Sequence, residues 1–209
     1  WYLVSDLTGG PSPSATEIQA ARADRMLARH GIVVRDAVLA EGVPGGFSGL
    51  YPVFGALEEA GRVRRGYFIE GLGGSQFALP GAVDRLRAGE GAGRTVVLAA
   101  ADPANPYGAA VPWPDHTGRP SRSAGAYVVV VDGRLGAFIE RGGKTVLSFS
   151  GDDDDVRSVA AALHGIASTR IRRMVVTTID GLEAGATPLG AALLDAGFAR
   201  SYKGLAARA

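Results

Sequence analysis

The chain has 209 residues, with 22 Lys and Arg against 21 Asp and Glu and a formal net charge of +1. That length fits one large domain or two small ones with real cores, and the near-neutral balance excludes a bulk basic footprint, so any polyanion site has to be a local patch. Zero cysteines exclude thiolate zinc, disulfides and thiol nucleophiles, and three scattered histidines (His30, His116, His164) argue against a histidine-rich centre, so no metal is expected.

The opening run "WYLVSDL" (1–7) alternates like a strand and has no initiator Met, so residues 1–13 are expected to be the end of a domain lying upstream. No signal peptide or long apolar span is visible, and a cytoplasmic protein without a membrane partner is expected. "TGGPSPS" (8–14) breaks the chain. Ser14 with Glu17 three residues later has the spacing of a capping box, which predicts a helix from Ala15 to about Arg29, closed by Gly31. "IVVRDAVLAEG" fits either a strand or a short helix. "FSGLYPVFGALEEAG" places Leu50, Val53, Phe54 and Leu57 at helical intervals. "RVRRGYFIEG" and "SQFAL" are short β-prone runs on either side of Leu72-Gly73-Gly74, hence a hairpin. Helices followed by a two-stranded wing give the order of a winged-helix domain over 14–90, with "PGAVDRLRAG" as a short helix at its end.

"EGAGR" (90–94) is a flexible seam, and a second domain is expected over 95–209. It begins with the apolar run "TVVLAAA", crosses the irregular "DPANPYGAAVPWPDHTGRPSRSAG", and continues as three alternating strands joined at Asp132-Gly133 and Gly142-Gly143. The fold class expected is α+β, a winged helix followed by a small antiparallel β-barrel or meander with flanking helices. The acidic run Asp152–Asp155 precedes "VRSVAAALHGIA" and suits a helix N-terminus better than a metal site, because carboxylates offset the positive end of the helix dipole. "RIRRMVVTTIDG" reads as a strand, "TPLGAALLDAG" as a helix capped by Thr187, and "FARSYKGLAARA" as one final strand.

A phosphate loop is missing, since "GLGGSQF" has neither the lysine nor the following helix, and no serine sits in a nucleophile elbow. The most informative constellation is the wing. Arg62, Arg64 and Arg65 can pair with phosphates while Tyr67 stacks or contacts sugar. Alternatively Tyr67, Ile69, Phe77 and Leu79 form the wing's core face, with the arginines solvated beside them. Asp102, held between prolines at a strand end in "AAADPANPYG", is the candidate catalytic carboxylate, although an Asx-turn is the commoner use of such a residue. A basic set near the C-terminus (Arg170, Arg172, Arg173, Arg200, Lys203, Arg208) either lines one face or is dispersed; Arg172, Arg173 and Lys203 are its candidate nucleic-acid contacts.

Taken together, "GFSGLYPVFGALEEAGRVRRGYFIEGLGGSQFALPGAVDRLR", "LAAADPANPYGAAVPWP", "GRPSRSAGAYVVVVDGRLGAFIERGGKTVLSF" and the ending "AGFARSYKGLAARA" resemble the C-terminal region of Lhr-type (large helicase-related) bacterial DNA helicases. The resemblance covers nearly everything from residue 15 onward. It implies a helicase core upstream that binds ATP and Mg, no cofactor within this stretch, a DNA partner (single-stranded or duplex), and a last winged helix joined to a β-barrel. It further implies similarity to AlkZ/YcaQ-type DNA glycosylases, with Asp102 at the place of their strand-end Asp. Their Q-x-Q or Q-x-D motif has no counterpart here, since Gln19 and Gln76 stand alone. Three roles follow as expectations: a DNA-binding accessory module acting in repair, a glycosylase for uracil or an alkylated base, and a module that joins copies of the chain.

Overall fold

The computed structural model describes residues 3–5, 9–10, 12–89, 93–171 and 173–207 and divides into two compact units, Trp1–Glu90 and Gly91–Ala209. Most of the strand expected over 1–7 lies outside the described residues; Val4 and Ser5, which are described, are helical rather than extended. Leu3 and Val4 are both exposed, so neither of these two is fixed by a buried face.

Helix α1 (Ala15–His30) begins with the predicted capping box: the Ser14 hydroxyl accepts from Glu17 N, and the Glu17 carboxylate accepts from Ser14 N at 2.8 Å. Gly31, at φ +67°, ends it by donating to the Leu27 carbonyl. The ambiguous segment resolves into both alternatives, strand β1 (Ile32–Val33) and helix α2 (Arg35–Ala40). Helix α3 (Gly46–Glu59) packs on α1 and buries Leu50 and Phe54 completely. Strands β2 (Arg64–Gly66) and β3 (Gln76–Ala78) form the hairpin, with helix α4 (Pro80–Ala88) after it. The sheet order is β1-β3-β2, all antiparallel, which places Phe77 on the central strand, stacked on Phe54 at 4.9 Å between ring centroids. Burying each such ring contributes roughly 1.5–3 kcal/mol. The wing is therefore bolted to α3.

In the second unit, β4 (Thr95–Ala99), β5 (Tyr127–Val131), β6 (Arg134–Ile139) and β7 (Thr145–Ser148) form the expected antiparallel meander. Its two turns use positive φ at Asp132-Gly133 and at Gly142-Gly143. Helix α5 (Asp153–Thr169) follows, capped by Asp152, whose carboxylate accepts from Asp155 N. The acidic run is thus a helix start. Strand β9 (Thr178–Ile179) then joins β7 in parallel and pairs with β10 (Leu182–Glu183), giving the order β10-β9-β7-β6-β5-β4. The sheet is open, with β10 and β4 as its edges, so the meander is present without closure into a barrel among the described residues. Layering takes the place of closure. α5 covers one face through Val159, Leu163 and Ile166, while Tyr107 and Trp113 from the 100–126 loop cover the other, over Val128 and Phe138.

Two sequence expectations need correction. The strand read across "RIRRMVVTTIDG" is two strands on different sheets, β8 (Val175–Val176) and β9, because Thr177 and Thr178 both turn their N–H groups onto the Lys144 carbonyl. The single final strand is a hairpin, β11 (Phe198–Ser201) and β12 (Gly204–Ala207), in a sheet ordered β11-β12-β8. Helix α6 (Pro188–Asp195) precedes it, with Thr187 as N-cap and Pro188 in the first turn as expected.

Candidate nucleic-acid interface

The wing owes its shape to one buried amide. Gln76 is fully buried, and its Oε1 accepts from Phe68 N (2.8 Å) and Ile69 N (2.9 Å), while its Nε2 donates to the carbonyls of Ile69 (3.1 Å) and Leu72 (2.9 Å). Those four bonds saturate the side chain. They also curl residues 68–72 back onto β3. Gln76 is thus a structural clamp and presents no free group for chemistry.

The wing's four candidate contact residues do not share one environment. Arg65 is held inside the domain: its guanidinium reaches Glu58 at 3.0 Å and donates to the Tyr51 hydroxyl at 3.1 Å. A hydrogen bond with Ser75, reinforced by Arg65, keeps the Tyr51 hydroxyl below the usual phenol range, and the bond Arg65 donates to Tyr51, with the charge of Glu58, raises Arg65 further. Arg62 makes a longer pair with Asp24 at 3.5 Å. Arg64 is exposed and pairs with no carboxylate among the described residues. Tyr67 is 85 % exposed, so it does not belong to the wing's core face, which is made by buried Phe77 with half-buried Ile69 and Leu79. Helix α3, in the recognition position, contains no Lys or Arg and ends in Glu58 and Glu59. Of the three wing arginines, Arg64 is the one whose charge is unengaged among the described residues.

In the second unit Asp102 occupies an Asx-turn, its Oδ1 accepting from Ala104 N at 2.8 Å. Its loop is fixed by two side chains that sequence reading did not single out. Asn105 is completely buried, its Nδ2 donating to the Ala100 carbonyl (2.9 Å) and its Oδ1 accepting from Tyr107 N (3.1 Å). Arg122 clamps the same loop from outside, donating to the carbonyls of Asn105 (2.6 Å), Asp102 (2.9 Å) and Tyr107 (3.2 Å). Burial pushes the Tyr107 phenol up, and its hydroxyl bridges the loop to the sheet, donating to the Gly133 carbonyl and accepting from Leu135 N.

The described members of the C-terminal basic set are dispersed. Arg172 and Arg208 lie outside the described residues. Arg173 is exposed at φ +60°, just ahead of β8, beside the Ala207 end of β12. Lys203 is at the opposite end of that sheet, about 13 Å away at strand rise. Arg170 lies over the Tyr127 ring at 5.5 Å, at one end of an open groove of about 500 Å³ between β4 and α5. The groove is lined by Val97, Ala161, Ala162 and Gly165 among others, and no carboxylate or imidazole is among its lining residues. No cluster of three or more possible metal ligands occurs among the described residues, and none of their helices is long and apolar enough to cross a membrane.

Sequence comparison matches residues 12–96 to the winged-helix domain of the large helicase-related protein. Over 94 % of its length the chain is similar, at 46 % identity, to a Mycolicibacterium smegmatis protein named "Lhr helicase/ probable uracil glycosylase", of which it spans 14 %. An Escherichia coli K12 protein named "Lhr helicase/uracil glycosylase" is 39 % identical over 91 % of the chain, which covers 13 % of that relative. A winged-helix match on the unit that carries the wing, together with similarity running through both units, shows that the chain belongs to the Lhr, or large helicase-related, family.

Proposed function

We propose that this chain is a DNA-binding module of an Lhr-type ATP-dependent helicase acting in DNA repair, and that it contacts the nucleic acid wing first. The observation that carries this reading is the pairing of exposed, unengaged Arg64 with 85 %-exposed Tyr67 on a wing whose backbone Gln76 locks. A guanidinium presented on a rigid strand pairs with phosphate at low entropic cost, and a neighbouring phenol ring can lie against sugar or base. An α3 without cations, with Glu58 and Glu59 at its end, contributes no phosphate pairing of its own. Net charge near zero then implies few phosphate contacts and a shallow salt dependence. ATP hydrolysis is assigned to the remainder of the parent chain.

Arg64→Ala is expected to weaken DNA binding several-fold and to reduce the salt slope by about 1, as loss of one phosphate contact should. Arg65→Ala is expected to do less, because Arg65 must first release Glu58 and Tyr51 before it can reach a phosphate. Fluorescence anisotropy with labelled single-stranded and duplex DNA at two salt concentrations measures both. An Arg64→Ala chain that binds like wild type removes the wing from the interface.

A second reading, base excision, is favoured by the printed names of both relatives and by the rigid mounting of Asp102. Asp102 Oδ1 is engaged in its turn, so Oδ2 would be the oxygen that activates water or steadies a cationic sugar. If uracil-containing DNA gains abasic sites on incubation with the chain, Asp102→Asn should lower that rate by on the order of 100-fold or more. Intact DNA after incubation with the wild-type chain rules the reading out.

A further inference from the structure

The hairpin between β11 and β12 ends in Tyr202-Lys203, where turn chemistry would favour Gly, Asn, Asp or Ser. Neither residue is at positive φ, so the turn gains no backbone advantage from them. The Tyr202 ring is 92 % exposed, more than any other large apolar or aromatic side chain among the described residues. Burial does not explain the tyrosine either.

The tip is nevertheless held in place. The Ser201 hydroxyl accepts from Lys203 N (3.3 Å) and donates to the Gly204 carbonyl (3.0 Å), which ties the turn to itself. Behind it, Gly204 has φ +131°, and a Cβ there would come within 2.2 Å of the Val176 carbonyl oxygen, so the tip is pressed against the neighbouring strand. Lys203 Nζ lies over one face of the Tyr202 ring at 5.1 Å and leaves the opposite face open. Lys144 is exposed and accepts at its carbonyl from Thr177, the residue against which Gly204 packs, while the Arg200 guanidinium on β11 is turned to Gly185. None of Lys144, Arg200 and Lys203 pairs with a carboxylate among the described residues.

We propose that this tip is a second nucleic-acid contact, where an unpaired base stacks on the open face of Tyr202 while Lys203 and Lys144 take the flanking phosphates. A solvent-facing aromatic on a fixed turn, with an unpaired lysine over one face, matches the chemistry of single-stranded nucleic acid, because every base offers a π-face and every nucleotide a phosphate. Fully paired duplex offers phosphates but no free base face. The tip therefore selects unpaired over paired DNA, whereas the wing arginine does not. This proposal rests on the chain being a DNA-binding module.

The test compares wild type, Tyr202→Ala, Tyr202→Phe and Arg64→Ala chains on single-stranded DNA carrying 2-aminopurine and on a fully paired duplex of the same sequence. Tyr202→Ala is expected to weaken single-strand binding on the order of 10-fold, to abolish quenching of 2-aminopurine, and to leave the duplex affinity and the salt slope unchanged. Tyr202→Phe should retain most of both signals. Single-strand affinity and quenching that survive Tyr202→Ala, while Arg64→Ala still weakens binding, overturn the tip and leave the wing standing. Equal losses on both substrates overturn stacking. No binding by the wild-type chain to either substrate brings down the DNA-binding reading itself and this proposal with it.

Discussion

Gln76→Leu is expected to lower the stability of the winged-helix unit by about 3 kcal/mol, although leucine is close in size and more apolar. The substitution leaves Phe68 N, Ile69 N and the carbonyls of Ile69 and Leu72 without their partner at a fully buried position. Each buried backbone group so orphaned costs about 1–3 kcal/mol, and fraying of the wing into water recovers part of that sum. Hydrogen exchange should locate the effect: amides 68 and 69 lose protection first, ahead of the α1 and α3 amides. Urea denaturation followed by far-UV circular dichroism should show a lower midpoint for one of two transitions. DNA affinity falls as well, because Tyr67 would then lead into a disordered loop and binding would have to order it. Unchanged protection at 68 and 69 would show that the amide does not hold the wing.

This clamp marks the limit of what was legible in the sequence. Helical spacing in "FSGLYPVFGALEEAG" and the glycine turn after "GYFIEG" suffice to place α3 and the hairpin, since periodicity and turn chemistry are local signals. The Ser14–Glu17 cap and the Asp152 helix start are legible for the same reason. What Gln76 does is not local. It is one polar residue in an apolar run, and its four partners lie four to eight positions back along a loop whose path it determines. Arg65 is similar, since only the fold brings Glu58 and Tyr51 to it, so three adjacent arginines that look equivalent differ in freedom. The C-terminal hairpin was missed because its turn lacks the residues by which turns are recognised.

Asn105 should behave in the second unit as Gln76 does in the first, and it bears directly on the two readings of function. Asn105→Ala leaves the Ala100 carbonyl and Tyr107 N unpaired at a position with no solvent access, an expected loss of about 2–3 kcal/mol. Trp113, stacked on Tyr107 with centroids 6.2 Å apart, is a built-in probe, and its emission in a Trp1→Phe background should shift as the loop loosens. Asn105→Asp separates packing from polarity. Its carboxylate can still accept from Tyr107 N but offers no donor to the Ala100 carbonyl, so one of the two bonds is kept and the other becomes a repulsive contact. Arg122 continues to hold Asp102 and Tyr107 by their carbonyls in both variants, so the loop loosens without detaching. If Asp102 takes part in chemistry, either substitution should depress excision while wing-dependent DNA affinity stays at the wild-type value. If the second unit only binds, Trp113 emission shifts and no catalytic signal is there to lose.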